Sequence, residues 1–342
     1  MPQQLRWRPA MRHSPQTFSP ISSAPAGFRS DLPRWQHLVT VDWLAAMLAQ
    51  QAVAAAPAQH WQLFEAACDG LDAYLVGHIP GAQYLDTRQF EHLPFWNALP
   101  HQDMLALLQH LGLGPHSTVI LYGRNMLAAA RVAQLLLATG VQDVRLLDGG
   151  LAAWCDAGQA LGHGNACAPA PERAPGPRDW LARPDYLIHT AQVRALLDTA
   201  GCALVSIRTR AEFLGETSGY SYIESRGEIA GALWGHAGSD GDVNSMNNFQ
   251  DALGRMKPAA EIAALWQEAG IRPDLHTTFY CGTGWRASLA FFYAWLMGWE
   301  RISVYDGGWY EWSADPANPV RCEAQDALSD SRLPAGAAMP EY

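Results

Sequence analysis

The chain lacks any continuous apolar run of the roughly 18 residues that a membrane-spanning helix needs. Hydrophobic residues make up 49% of its 342 positions, but they are spread along its length. It also lacks a basic patch. With a formal charge of −10 and an isoelectric point of about 5.6, it is a poor partner for nucleic acid or an anionic membrane. Its six cysteines are Cys68, Cys155, Cys167, Cys202, Cys281 and Cys322. No two are spaced as Cys-x-x-Cys, and none stands beside histidines at metal-ligand spacing, so neither a bound metal nor an organic cofactor is expected. Free thiols fit a reducing compartment, and a cytoplasmic location is expected. Arg6, Arg8 and Arg12 precede no apolar segment, which argues against a secretory signal. Residues 1–34, broken by Pro2, Pro9, Pro15, Pro20 and Pro25, read as an irregular tail, and 326–342 as a second one.

The length is that of about two domains. An internal duplication gives their arrangement. Gly77-His78-Ile79-Pro80-Gly81-Ala82 matches Gly227-Glu228-Ile229-Ala230-Gly231-Ala232. Thr118-Val119-Ile120-Leu121-Tyr122-Gly123 matches Thr277-Thr278-Phe279-Tyr280-Cys281-Gly282. Leu146-Leu147-Asp148-Gly149-Gly150-Leu151 matches Val304-Tyr305-Asp306-Gly307-Gly308-Trp309. Matches in one order along both halves mean two copies of one domain, 35–161 and 185–325. The Gly-, Ala- and Pro-rich stretch 162–184 reads as the linker.

Within the second copy, Ala203–Ile207, Thr277–Tyr280 and Ile302–Tyr305 read as buried strands, and Ala191–Asp198, Ala259–Ala269 and Ala287–Met297 as helices. The last carries Leu289, Phe292, Tyr293 and Leu296 on one face. Alternating strands and helices predict an α/β fold in which each copy is a mainly parallel sheet flanked by helices. Ligands of such sheets sit beyond the carboxyl ends of the strands.

Cys281 stands at such a strand end, in the loop Cys281-Gly282-Thr283-Gly284-Trp285-Arg286, with a helical stretch directly after it. Loop N–H groups can form an anion nest there, and a helix N-terminus adds partial positive charge. Both favour the nucleophilic thiolate. Arg286 adds a fixed cation with planar donors. A lone strand cysteine would read as a small core residue; the glycines, the arginine and the strand-loop-helix order together favour a catalytic thiol.

The His-Ile-Pro-Gly-Ala run, this loop and the Tyr305-Asp306-Gly307-Gly308-Trp309-Tyr310-Glu311-Trp312 segment resemble the tandem-domain rhodanese family over about Leu38 to Cys322. Gly215 to Tyr222 and the loop are similar to the branch of bacterial thiosulfate sulfurtransferases. The resemblance implies two rhodanese-like domains, the first non-catalytic and the second catalytic, and a persulfide on Cys281. In the first copy Tyr122 stands at the position of Cys281, and a phenol with a pKa near 10 is a poor sulfur acceptor at neutral pH. Its domain would wall the cleft and support its partner.

The expected chemistry is covalent. Cys281 attacks the outer sulfur of a donor such as thiosulfate, sulfite leaves, and cyanide, a thiol or a protein thiol collects the sulfur. Gly282, Thr283, Gly284, Trp285 and Arg286 would bind the donor and the charged sulfur, with Arg208 as electrostatic support. Only four residues lie between Cys281 and Arg286, a smaller ring than the five-residue spacing of cysteine phosphatases, and it suits one sulfur atom better than a phosphate. Arg208 is expected to pair with Glu212 or Asp306. The family usually has aspartate at Ser206, and many tandem enzymes have a donor-binding arginine at Glu212. Trp234 and His236 are candidates for the cleft wall, with a surface or core place for His236 the plainer reading. Asp306 reads as a structural turn, and Cys202 and Cys322 as inert. 3-Mercaptopyruvate is the alternative donor. A persulfide carrier loaded by a partner protein is the alternative function, with Tyr220, Tyr222, Trp234, Trp309, Tyr310 and Trp312 as a docking rim or as core.

Overall fold

A computed structural model describes residues 24–165 and 180–322. Cys167 and most of the expected linker lie outside these residues, as do 1–23 and 323–342. The first copy contains β1 (Leu38–Val39), α1 (Val41–Leu48), β2 (Trp61–Ala67), α2 (Leu71–Val76), β3 (Gln83–Asp86), a hairpin of β4 (Glu91–His92) and β5 (Asn97–Ala98), α3 (His101–His110), β6 (Thr118–Tyr122), α4 (Met126–Thr139), β7 (Asp143–Leu147) and α5 (Gly150–Asp156). The second contains β8 (Leu187–Ile188), α6 (Thr190–Leu197), β9 (Cys202–Ser206), α7 (Arg210–Leu214), β10 (Glu228–Ile229), β11 (Leu233–Trp234), α8 (Ala259–Glu268), β12 (His276–Tyr280), α9 (Trp285–Leu296), β13 (Ile302–Tyr305), α10 (Gly308–Ala314) and β14 (Val320–Arg321).

Each copy holds one five-stranded parallel sheet, in the orders β1-β7-β6-β2-β3 and β8-β13-β12-β9-β11. The two orders are the same order, as the duplication requires. Strand side chains alternate between two apolar layers. Val119 and Leu121 face one core while Ile120 and Tyr122 face another. In the second copy Phe279 and Cys281 share the first kind of face, and Tyr280 and Tyr305 the other.

The faces that carry α4 and α9 merge into one core spanning both domains. Every residue of α4 except Ala138, and every residue of α9 except Trp285, is buried. Helices apolar on all sides need partners on all sides, and these two pack on each other and on both sheets. Each fully buried Leu or Phe side chain there contributes about 1.5–3 kcal/mol, so the domains form one hydrophobic unit.

The Asp-Gly-Gly turns reinforce it reciprocally. Asp306 of the second copy accepts the backbone N–H of Ala98 in the first at 2.9 Å. Asp148 of the first copy accepts the N–H of Met256 in the second at 2.8 Å. Burial pushes the Asp148 carboxyl up to about 6, against the opposing pull of the Met256 N–H and Arg29. A carboxyl raised in the folded state adds stability that is complete below its unfolded value near 4 and is lost as pH rises through about 6. Asp148→Asn, which keeps the acceptor oxygen, is therefore expected to stabilise by about 1–3 kcal/mol at pH 7.5 and to do little at pH 4. Thermal melts of both proteins at the two pH values check this.

Residues 24–34 hold no helix or strand, but they pack against the second domain. Leu32 is buried in the core. Arg29 donates to the carbonyls of Met256 and Lys257, and Asp31 accepts the N–H of Ala259 at the start of α8 at 2.8 Å. Arg34 donates to the Trp295 carbonyl near the end of α9. Asp31 thereby satisfies one of the N–H groups that the start of α8 leaves open, and residues 29–34 form a strap on the second domain.

Candidate active site

The strand β12 ends at Tyr280, and α9 begins at Trp285, two residues earlier than the apolar pattern of the sequence places it. Gly284 is the residue before that helix, with a left-handed φ of 92° that favours glycine. The first helical bond runs from Ser288 N–H to the Gly284 carbonyl at 2.8 Å. The first-turn N–H groups of Trp285, Arg286 and Ala287 thus have no intrahelical partner. Cys281 is 1% exposed at this helix start. Its carbonyl accepts Trp309 N–H at 2.7 Å, and that of Gly282 accepts Tyr310 N–H at 3.1 Å. A side chain on Gly308, at φ 56°, would collide with both carbonyls, so the second glycine of the Asp-Gly-Gly turn is what lets α10 hold the loop.

The strand register corrects one assignment. Glu65 lies opposite Tyr122 and Ser206 opposite Tyr280; Leu121 lies beside Leu146, and Phe279 beside Val304. Leu151 N–H binds the Gly123 carbonyl as Trp309 N–H binds that of Cys281. The counterpart of Cys281 is therefore Gly123, and that of Tyr122 is Tyr280. The loop before α9 is one residue longer than the loop before α4, and linear matching hides that insertion. The first domain still presents no thiol at the end of β6.

The two tyrosines bind carboxylates that come from different positions of the repeat. Tyr122 donates to Glu65 at 2.9 Å, and Tyr280 donates to Glu228. Ser206 also donates to Glu228, at 2.6 Å. The acidic group absent at Ser206 is thus supplied from β10. Arg208 lies 3.4 Å from Glu228 and 3.5 Å from Glu212, and donates to the carbonyls of Gly227 and Ser218. Its expected alternative partner, Asp306, belongs to Arg131 instead, at 2.6 Å.

Arg286 is buried and makes a bidentate pair with Glu212 at 2.8 and 2.9 Å, and donates to the Tyr220 hydroxyl at 2.6 Å. Burial alone would raise the Glu212 carboxyl; Arg286 and Arg208 outweigh it and bring it to about 2. Glu212 also closes a capping box with Thr209 at the start of α7. The Nε of Arg286 is buried without a partner. The Tyr220 ring lies directly on Gly282, where any Cβ would enter the ring. The Tyr222 hydroxyl bonds to Thr283, and its pKa is raised to about 12, chiefly by burial.

A cleft of about 530 Å³ opens in front of this loop, between the domains. Thr283, Trp285, Arg286, Tyr220 and Tyr222 line it from the second domain, and Cys68, Glu91, Trp96, Arg124 and Asn125 from the first. Trp285 is both wall and domain contact, since its Nε1 donates to Glu91 at 3.1 Å. Arg131, fully buried on α4, bridges Glu91 at 2.8 Å and Asp306 at 2.6 Å. Burial would lower its pKa, but the two carboxylates raise it, and it stays charged. Its Nη1 has no partner and would lie 3.0 Å from a Cβ on Gly284. No sequence motif marks Glu91, Trp96 or Arg131, because the domain packing alone brings them to the loop.

Other candidates fall elsewhere. Trp234 and His236 stack on each other at 4.0 Å and do not line this cleft. Trp309 and Trp312 are core residues with no exposed surface. Tyr310 packs edge-on against Phe95 and Tyr222. Cys202 opens β9, and Cys322 lies near Gly215. Among the described residues no cluster fits a metal ion, and no helix is long and apolar enough to cross a membrane.

The rhodanese-like domain model matches residues 40–157 and again 189–315. The thiosulfate sulfurtransferase YnjE of Escherichia coli is 47% identical over 84% of this chain, which spans 66% of that relative's length. A solved structure of YnjE superposes with a TM-score of 0.81 at 48% identity, covering 85% of this chain and 69% of that one. A probable 3-mercaptopyruvate sulfurtransferase of Pseudomonas aeruginosa is 34% identical over 73% of this chain and 86% of its own. An anaerobic ergothioneine biosynthesis enzyme from Chlorobium limicola, solved with trimethyl histidine, matches with a TM-score of 0.79 at 35% identity, covering 85% of this chain and 71% of that one. With two matched domains and a shared fold, the chain belongs to the rhodanese family.

Proposed function

We propose that the protein is a thiosulfate sulfurtransferase that carries sulfane sulfur on Cys281. The observation that carries this reading is a buried thiol at the carboxyl end of β12, held against the N-terminus of α9 by a four-residue loop. The Cys281 thiolate attacks the outer sulfur of thiosulfate. The S–S bond breaks, sulfite departs with the electron pair, and Cys281 becomes a persulfide. An acceptor thiolate or cyanide then attacks the terminal sulfur and returns the Cys281 thiolate.

Gly282, Thr283 and Gly284 shape the loop. The first-turn N–H groups and Arg286 Nε hold the charge that develops on sulfur. Trp285 closes the wall, and Arg208 backs the site through Glu212 and Glu228. The names of the curated relatives support the reaction class. The ergothioneine biosynthesis enzyme, solved with its natural substrate trimethyl histidine, supports a small organic molecule as a substrate here. Unpaired thiols at Cys68, Cys155, Cys202, Cys281 and Cys322 fit a cytoplasmic setting.

Intact mass after brief exposure to thiosulfate, with 3-mercaptopyruvate in parallel, tests the proposal. The expected result is a gain of one sulfur atom from thiosulfate, released by cyanide. Uptake from 3-mercaptopyruvate alone would make that compound the donor. Uptake only from a protein persulfide would make the chain a carrier.

A further inference from the structure

We propose that the interdomain cleft selects a cationic sulfur acceptor, and that Trp96 of the non-catalytic domain, with Tyr222 opposite, makes that selection. The inference rests on the sulfur-transfer reading and concerns only its second half-reaction.

The first observation is conformational. Trp96 has a φ of 62°, a region that bulky side chains rarely occupy and that clusters at functional sites when it does occur. The β4–β5 hairpin holds it there, and its carbonyl accepts from Arg131 at 3.4 Å. The result is an indole placed on the cleft wall, in the cavity that Trp285, Tyr220 and Tyr222 line from the other domain. Trp285 is fixed by its bonds to both oxygens of Glu91, at 3.1 and 3.3 Å. Four aromatic side chains and one carboxylate thus line a space of about 530 Å³, enough for one small organic molecule.

The second observation is electrostatic. Both arginines on the wall are already committed. Arg286 is held by Glu212. Arg124 is held by Glu65 at 2.8 Å and by the carbonyls of Ala73 and Gly77. Glu91 is likewise paired, with Arg131 at 2.8 Å, so the charged side chains of the wall are neutralised in pairs and the aromatic faces are what attracts a positive group. The anionic donor is served deeper, by the first-turn N–H groups of α9 and the unpartnered Nε of Arg286. The donor is thereby served by N–H groups and the acceptor by aromatic faces.

The test uses the full-length protein loaded with thiosulfate, desalted, and mixed with cysteamine, 2-mercaptoethanol or 3-mercaptopropionate. These thiols are of similar size and differ in charge. Each thiolate attacks the terminal sulfur, the S–S electron pair leaves on Cys281, and the thiol carries the persulfide away without a further oxidant. Rates are corrected for each acceptor's thiolate fraction and scaled to the fraction of protein that took up sulfur, which counts folded sites in every variant. The expected order is cysteamine, then mercaptoethanol, then mercaptopropionate, with about three- to tenfold between the first and last at low salt. Trp96→Leu and Tyr222→Leu should each shrink that ratio at least twofold. Tyr222 is 47% exposed, so its variant provides a folded test even if the Trp96 variant is unstable. Equal rates for the three thiols, or a preference that survives both substitutions, would overturn the inference. A wild type that takes up no sulfur at all would instead overturn the sulfur-transfer reading beneath it.

Discussion

Serine in place of Cys281 is expected to leave no measurable sulfur uptake from thiosulfate, a loss of at least about a thousandfold. The substitution removes one polarisable atom and leaves the fold in place, because the site is small and its backbone is held by Trp309 and Tyr310 N–H groups. A hydroxyl at this helix start does not ionise near neutral pH, so the helix and Arg286 have no anion to stabilise. Cys68 is the informative comparison. It is exposed and lines the cleft in front of the loop, yet the helix after it, α2, is only six residues long, and burial raises its pKa. Cys68→Ser should therefore keep uptake within about twofold. Peptide mapping of the loaded protein should find the added sulfur on the Cys281 peptide. Persistent uptake by Cys281→Ser would remove this residue from the mechanism.

Arg131→Met should cost about 3–5 kcal/mol, because it strips the shared partner from two buried carboxylates, Glu91 and Asp306. For domains of this size that is a fall of about 10 °C in melting temperature. The loss should reach the active site as well. Glu91 positions Trp285, and Asp306 holds the first domain through Ala98. Pairing the change with Glu91→Leu and Asp306→Leu should restore much of the lost stability, since apolar replacement of a whole buried ion cluster is often neutral or better. Calorimetry on the single and triple variants measures both effects. A single variant that melts within about 2 °C of the parent would show that the bridge contributes little.

Much of the fold was legible because it is local. Ile302–Tyr305 is a strand as read, and the other two predicted strands shift by one residue at most at either end. The period of Leu289, Phe292, Tyr293 and Leu296 marked α9, but its start at Trp285 depended on Gly284 in a left-handed conformation, which hydrophobic spacing does not report. Cys281 and Arg286 were singled out from the loop alone. What the loop could not show is that Arg286 would face Glu212, a residue read as a partner of Arg208 and as a departure from the family. Nor could it show that the counterpart of Cys281 is Gly123, since an inserted loop residue leaves strand periodicity untouched. Glu91, Trp96 and Arg131 reach the site through the packing of α4 on α9, a contact between residues far apart in sequence.

The reciprocal grip of Asp148 on Met256 and Asp306 on Ala98 has the pattern of an isologous interface, in which one surface meets its own copy across a two-fold axis. Here the axis is approximate, and both halves sit on one polypeptide. Such an arrangement loosens the constraint on each half separately. One lobe can give up its nucleophile without dissolving the assembly, because the contacts that hold the lobes together lie in turns and helices rather than at the thiol. The freed lobe is then available to evolve as a selectivity wall for its twin, a division of labour that a symmetric dimer with two identical sites has no way to reach.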